Sequence, residues 1–161
     1  VSEEALAVWV AAQKLGLTVG TAESLTGGQV AADLVSVPGA SSVFRGGIVA
    51  YDSMVKHDLL GVDAAVLADT GAVTSQVAID MAEGALTRLG VDLVVATTGV
   101  AGPEPDPVAG ALPGTVFIAV AGGGLGTLVR ELSLEGDRAE ICARATRAAL
   151  QALLDGIATR E

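Results

Sequence analysis

The strongest constraint on the fold is a pair of adjacent segments, residues 74–98. Between 74 and 89, Ala78, Met81, Ala82, Ala85, Leu86 and Leu89 recur at helical spacing, with Asp80, Glu83 and Thr87 off that face. Such a stripe predicts an amphipathic helix, and Gly90 is placed to end it. Residues 92–98 then form a continuous apolar run without polar alternation, which predicts a strand covered on both faces. A strand buried on both sides needs helices above and below it. The expected fold class is therefore α/β, a three-layer α/β/α sandwich.

The rest of the chain agrees with that frame. Residues 2–16 read as a helix with Ser2 as N-cap, Glu3 and Glu4 in the first turn and Gly16 as stop. Strands are expected at 17–21 and 43–51, the second buried and carrying Gly46 and Gly47, which permit close backbone approach. Helices are expected at 28–36, about 52–59 and near 63–69. Residues 103–113 read as a Pro-rich loop. Strands at 115–121 and 128–134, joined through Gly122, Gly123 and Gly124, resemble a hairpin, so the sheet should be mixed but mainly parallel. Asp137 with Glu140 forms a capping box for a last helix to about 157. With 161 residues and neither repeat nor linker, a single domain over 1–161 is expected. Aromatic residues make up 2% of the chain, so Ala, Val, Leu and Gly must build the core.

Charge and composition exclude several functions. Net charge is −10, and nine Lys and Arg are scattered, which argues against nucleic acid and against an anionic membrane surface. No apolar run reaches the length of a membrane span, and the acidic start lacks the basic opening of a signal peptide. Cys142, the single cysteine, cannot form an internal disulfide, so a reducing cytoplasm is the expected location. One cysteine and one histidine, His57, cannot make a zinc site of several Cys and His ligands. No metal is expected. The chain lacks both the GxxxxGK[ST] and the GxGxxG phosphate loops.

Ligands of open α/β sheets bind beyond the carboxyl ends of the strands. Three segments qualify: 21–28 (TAESLTGG), 51–56 (YDSMVK) and 98–103 (TGVAGP). If their strands are parallel neighbours, the three loops share one edge. The first enters a helix, where backbone N–H groups of Thr26, Gly27 and Gly28 are expected to be open for a phosphate or an oxyanion. The second offers Tyr51 and Lys56. Ser24 beside Lys56 would form a Ser–Lys dyad, with the Tyr51 hydroxyl relaying or orienting the proton. A lysine titrates near 10.4, and bringing it to about 7 costs about 4.6 kcal/mol, which burial of the amine can supply. Arg45 or Arg138 would add to that shift, and Arg45 and Gly47 join the expected substrate contacts. Thr98, Gly99 and Gly102 of the third loop are expected to hold a ribose or phosphate through backbone groups. Arg138, at the start of the last helix, is a candidate anion contact. His57 and Cys142 read as packing residues, Trp9 as a core or interface anchor, and Glu104 and Asp106 as members of a solvated loop.

At these residues the chain resembles the CinA C-terminal domain family, whose stand-alone members deamidate nicotinamide mononucleotide. The resemblance is carried by TAESLTGG at 21–28, VPGASSVFRGGIVAYDSMVKHDLLGV at 37–62, GAVTSQVAIDMAEGAL at 71–86, TTGVAGP at 97–103, PGTVFIAV at 113–120 and GDR at 136–138. It implies an α/β/α fold, hydrolysis of the nicotinamide carboxamide to the acid and ammonia, a homodimer or higher homo-oligomer, no cofactor and a role in pyridine nucleotide salvage. It matches the family's nucleophile to Ser24, its lysine to Lys56, its tyrosine to Tyr51, its Gly-rich-loop threonine to Thr98 and its arginine to Arg138. Longer relatives carry a further N-terminal domain related to molybdopterin-binding folds. The sequence departs from the family in its third loop. Where the family has Gly-Gly and later Lys-Pro-Val-Gly-Thr, this chain has Glu104-Pro105-Asp106-Pro107 and Ala111-Leu112-Pro113-Gly114-Thr115, with no lysine. It also has Leu25 after the serine and Asp52-Ser53 after the tyrosine. Two alternatives therefore stand beside the first expectation: an amidase for another small amide, and a non-catalytic nucleotide-binding or assembly module.

Overall fold

A computed structural model describes residues 1–124 and 126–160. In chain order the elements are α1 (Glu3–Leu15), β1 (Val19–Glu23), α2 (Gln29–Val35), a 3₁₀ turn (Ala40–Ser42), β2 (Phe44–Val49), α3 (Ser53–Leu60) and α4 (Ala64–Thr70). Then come α5 (Ser75–Leu89), β3 (Leu93–Gly99), β4 (Thr115–Gly122), β5 (Leu128–Ser133) and α6 (Arg138–Ala158). The five strands form one sheet in the order β2-β1-β3-β4-β5. Strands β2, β1 and β3 are parallel neighbours, and β4 runs antiparallel to both β3 and β5. Four of the five strands thus point the same way, as expected for a mixed, mainly parallel sheet.

The helices start and stop where local chemistry dictates. Ser2 caps α1 through a 3.1 Å hydrogen bond from the Ala5 N–H, and Gly16 ends it in the left-handed conformation that glycine adopts without strain. Asp52, Asp63 and Thr74 cap α3, α4 and α5. Asp137 and Glu140 form the full capping box at the start of α6.

Strand alternation sorts the core into two layers. Val19, Val95, Ile118 and Val120 face α1, α2 and α6, packing on Val8, Val30, Ile141, Leu150 and Leu153. Ala22, Val94, Ala96 and Ala119 face the other way, toward α5 and α3, against Val77, Met81 and Leu60. The three-layer sandwich is therefore present, with β3 as the central strand and β1, beside it, buried along its whole length. No helix among the described residues is long and apolar enough to cross a membrane.

Two strand expectations need correction. The first strand runs from Val19 through Glu23, two residues further than its apolar residues indicated, so the loop begins at Ser24. Hydrogen bonds to β2 and β3 hold Thr21 to Glu23 in the sheet whatever their polarity. The second strand is not buried on both faces. Its residues alternate between half-buried and exposed because it is an edge strand with β1 as its one neighbour.

Small residues set how closely the layers approach. A Cβ added at Gly84 of α5 would strike the backbone carbonyl of Leu60 at the end of α3. Gly84→Ala should lower stability by about 1–3 kcal/mol despite the better helix propensity of alanine, because backbone cannot move aside as a side chain can. Urea unfolding of the two chains checks this, and an unchanged midpoint would refute the tight α3–α5 approach.

Candidate active site

The parallel order β2-β1-β3 brings the carboxyl ends of these strands side by side, and their loops share one edge of the sheet. A cleft of about 540 Å³ opens there. Ser24 and Leu25 from the β1 loop, Tyr51 and Lys56 from β2–α3, and Gly99 to Pro107 from the β3 loop line it. Ala72 and Val73, between α4 and α5, supply a wall that sequence reasoning did not anticipate.

Lys56 is the centre of the cleft. It is 1% exposed, on the inner face of the first turn of α3. Its Nζ lies 2.9 Å from Ser24 Oγ, 2.8 Å from the Ala50 carbonyl and 2.9 Å from the Tyr51 carbonyl. Burial pushes its pKa down to about 8, while the Asp52 carboxylate pulls the other way. Among the described residues no carboxylate bonds to the amine. In the neutral amine the two carbonyls occupy both N–H groups, which leaves the lone pair for the Ser24 hydroxyl. Ser24 itself is 7% exposed, with its N–H donated to the Thr97 carbonyl at 3.0 Å.

The structure corrects the expected anion site at Thr26, Gly27 and Gly28. The N-terminus of α2 is already filled by a carboxylate, that of Glu23 at the end of β1. Gly28, Val30 and Ala31 donate their N–H groups to it at 3.1, 2.9 and 2.9 Å. The Gly27 N–H is committed to the Ser24 carbonyl, and the Thr26 side chain is fully buried with its hydroxyl 2.7 Å from Glu23 Oε1. None of the three residues lines the cleft. Among the described residues, the backbone N–H groups without an acceptor in this loop are those of Leu25 and Thr26. Of these two residues, Leu25 lines the cleft beside Ser24. Its position directly after Ser24 is the sequence signal that could have pointed to it.

Tyr51 reaches Lys56 through its main-chain carbonyl, not its hydroxyl. The side chain is 59% exposed, and its hydroxyl accepts a 2.7 Å hydrogen bond from Arg138 Nη2. Arg138 Nη1 also donates to the Gly102 carbonyl at 2.8 Å. The guanidinium thereby ties α6 to the second and third loops at the cleft mouth. Gly99 and Gly102 line the cleft, as does Thr98, although the Thr98 hydroxyl is donated to the Ala72 carbonyl at 2.6 Å.

Arg45 and Gly47 do not reach the site. Arg45 lies near the amino end of β2, donates to the Ser41 carbonyl, and is close enough to Asp92, before β3, to act on its charge. Hydrogen bonds from Thr18 are the main cause that holds the Asp92 carboxyl below its usual range, with Arg160 and Arg45 adding to it. Gly47 packs β2 against β1: a Cβ there would strike the Thr21 hydroxyl. Both are placed by strand direction at the wrong position along the sheet.

His57, Cys142 and Trp9 make contacts within the fold and do not line the cleft, whereas Glu104 and Asp106 do. His57 Nδ1 meets the Val62 carbonyl at 2.7 Å, and buried Cys142 donates its thiol to the Leu25 carbonyl. Trp9 packs over Gly39 and donates to its carbonyl at 3.0 Å. Glu104 and Asp106 line the cleft mouth, and Asp106 also accepts the N–H groups of Val108 and Ala109. Among the described residues, no three His, Cys, Asp or Glu side chains group to hold a metal ion.

Comparison with known proteins agrees with this architecture. The profile of the CinA C-terminal domain matches residues 2–157. A CinA-like protein of Frankia casuarinae is 49% identical over 136 residues, covering 83% of this chain and 30% of the relative. A CinA-like protein of Mycolicibacterium gilvum is 44% identical over 144 residues, covering 89% and 34%. The chain thus spans about a third of the length of these curated relatives. A crystal structure of a competence-damaged protein (CinA) superfamily protein from Klebsiella pneumoniae superposes with a TM-score of 0.92 at 32% identity, covering 98% of this chain and 97% of the other. The competence/damage inducible protein CihA of Agrobacterium tumefaciens gives 0.90 at 38% identity, covering 95% and 93%. The fold, the sequence profile and the relatives agree, and the chain belongs to the CinA C-terminal domain family.

Proposed function

We propose that the chain is an amidohydrolase that converts nicotinamide mononucleotide to nicotinate mononucleotide and ammonia, with Ser24 as nucleophile and Lys56 as general base. The observation that carries this reading is the 2.9 Å contact between the buried Lys56 amine and Ser24 Oγ, at the wall of the cleft. The substrate comes from the family resemblance, as does the place of the reaction in pyridine nucleotide salvage.

The steps follow from the geometry. Neutral Lys56 accepts the Ser24 proton as Oγ bonds to the carboxamide carbon. The Leu25 N–H is the donor available to the oxyanion of the tetrahedral intermediate. Lys56 then returns the proton to the departing nitrogen, the C–N bond breaks, and ammonia leaves an acyl ester on Ser24. Water enters, gives one proton to Lys56 and attacks the ester. The acid departs, and Ser24 Oγ regains its proton. Arg138, at the mouth, is the cation available to an anionic part of the substrate.

A second reading, hydrolysis of another small amide by the same dyad, is favoured by Glu104 and Asp106. Their carboxylates line the mouth and weigh against a phosphate dianion. Ammonia release from nicotinamide mononucleotide, compared with a panel of uncharged and cationic carboxamides, separates the two.

Ser24→Ala and Lys56→Ala should each lower ammonia release by at least about 1000-fold, since members of a nucleophile–base pair fail together. Normal turnover by Ser24→Ala would end this mechanism. Because the neutral amine is the active form, kcat/KM should rise about tenfold per pH unit below pH 8 and level off above it, the midpoint following the Lys56 value of about 8. A profile flat from pH 6 to 9 would contradict a lysine base. Tyr51→Phe should retain kcat within about threefold, because the Lys56 contact is to the main chain. A loss of 100-fold would return the hydroxyl to the proton path.

A further inference from the structure

Glu23, directly before the nucleophile, is fully buried and is used by none of the steps above. Its two carboxylate oxygens receive five donors from three parts of the chain. Oε1 accepts from Thr26 Oγ1 at 2.7 Å, the Gly28 N–H at 3.1 Å and the Val30 N–H at 2.9 Å. Oε2 accepts from the Ala31 N–H at 2.9 Å and Thr21 Oγ1 at 3.3 Å. All five donors are neutral groups, and the first turn of α2 supplies the favourable end of its dipole.

This arrangement encloses Ser24. The loop from 24 to 28 starts directly after Glu23, which carries the carboxylate, and leads into the N–H groups of Gly28, Val30 and Ala31 that bind it. Thr26, in the middle, is tied to the same carboxylate and, at 2.8 Å, to Thr97 Oγ1 on β3. Thr97 in turn accepts the Ser24 N–H through its carbonyl. The serine is therefore held from both ends of its loop and from the neighbouring strand, while its side chain faces Lys56.

Resting on the proposed Ser24–Lys56 chemistry, we propose that Glu23 is a positioning residue: its buried carboxylate clamps the start of α2 to the end of β1 and so fixes Ser24 Oγ within reach of the Lys56 amine. Glutamine is not an adequate replacement. Its NH₂ must face either the Ala31 N–H or the Gly28 and Val30 N–H groups, and a donor placed against a donor forces the loop apart.

The test measures ammonia release, and also the labelling rate of Ser24 by a fluorophosphonate, which reports serine reactivity without any substrate. Glu23→Gln, compared well below its melting temperature, should lower kcat and labelling at least tenfold with KM changed less than about twofold. Asp92→Asn, which weakens hydrogen bonds at the other end of the sheet, controls for general destabilisation and should leave both rates unchanged. If Glu23→Gln does not fold, Thr26→Val, which removes the hydroxyl with its contacts to Glu23 and Thr97 and leaves the carboxylate in place, should lower labelling at least threefold, and Thr26→Ser should restore it. Wild-type labelling and kcat in Glu23→Gln, or in Thr26→Val should the first not fold, would overturn the positioning role and leave the dyad intact. A wild-type chain that neither labels nor releases ammonia from any amide would overturn the dyad itself, and the positioning role with it.

Discussion

A buried amine whose hydrogen-bond partners among the described residues are two carbonyls and a hydroxyl, none of them a carboxylate, is the constraint around which the cleft is organised. Lys56 loses its water and receives two main-chain carbonyls and a serine hydroxyl in exchange. Those groups satisfy hydrogen bonds without contributing a full negative charge, so desolvation prevails and the amine is driven toward its neutral form. The same residue placed against Glu104 or Asp106 would remain an ammonium and could not take a proton. The nearest counterweight, Asp52, is already occupied as the cap of α3, where it accepts the Met54 N–H.

The sheet makes that placement possible. Ala50 and Tyr51 follow β2, Ser24 follows β1, and their strands are adjacent and parallel, so the two carbonyls and the serine arrive at one edge together. Strand alternation divides the polar residues there. Glu23 and Thr97 share the face of β1 and β3 that looks toward α2, while Thr98 looks toward the α4–α5 connection. Small residues permit the close spacing of these layers. Gly47 against Thr21, Gly84 against Leu60 and the alanines of both cores leave no room for large rings, in keeping with a chain that is 2% aromatic.

Much of this was legible in the sequence, because it rests on local periodicity and capping. The stripe on α5, the apolar run of β3 and the Asp137–Glu140 box each report an element whose stabilising contacts lie within or beside it. The meeting of Ser24 with Lys56 was legible as a conditional statement, true if β1 and β2 were neighbours, and strand order supplies the condition. Three things were hidden. A helix N-terminus advertises its free N–H groups in sequence but not the carboxylate that fills them, and Glu23 looked like loop because a buried charge does not fit an apolar strand pattern. The orientation of Tyr51 depends on Arg138, 87 residues away. Arg45 and Gly47 were placed by composition alone, whereas strand direction sends them away from the cleft.

The proposed chemistry depends on the protonation of one side chain, Lys56. An NMR titration of the Lys56 Cε and Hε resonances, assigned by comparison with Lys14 and with Lys56→Met, reads it directly. The structure predicts a midpoint of about 8 for Lys56. A midpoint near the ordinary lysine value of about 10.4 would show a permanently charged ammonium at neutral pH and contradict its role as a base.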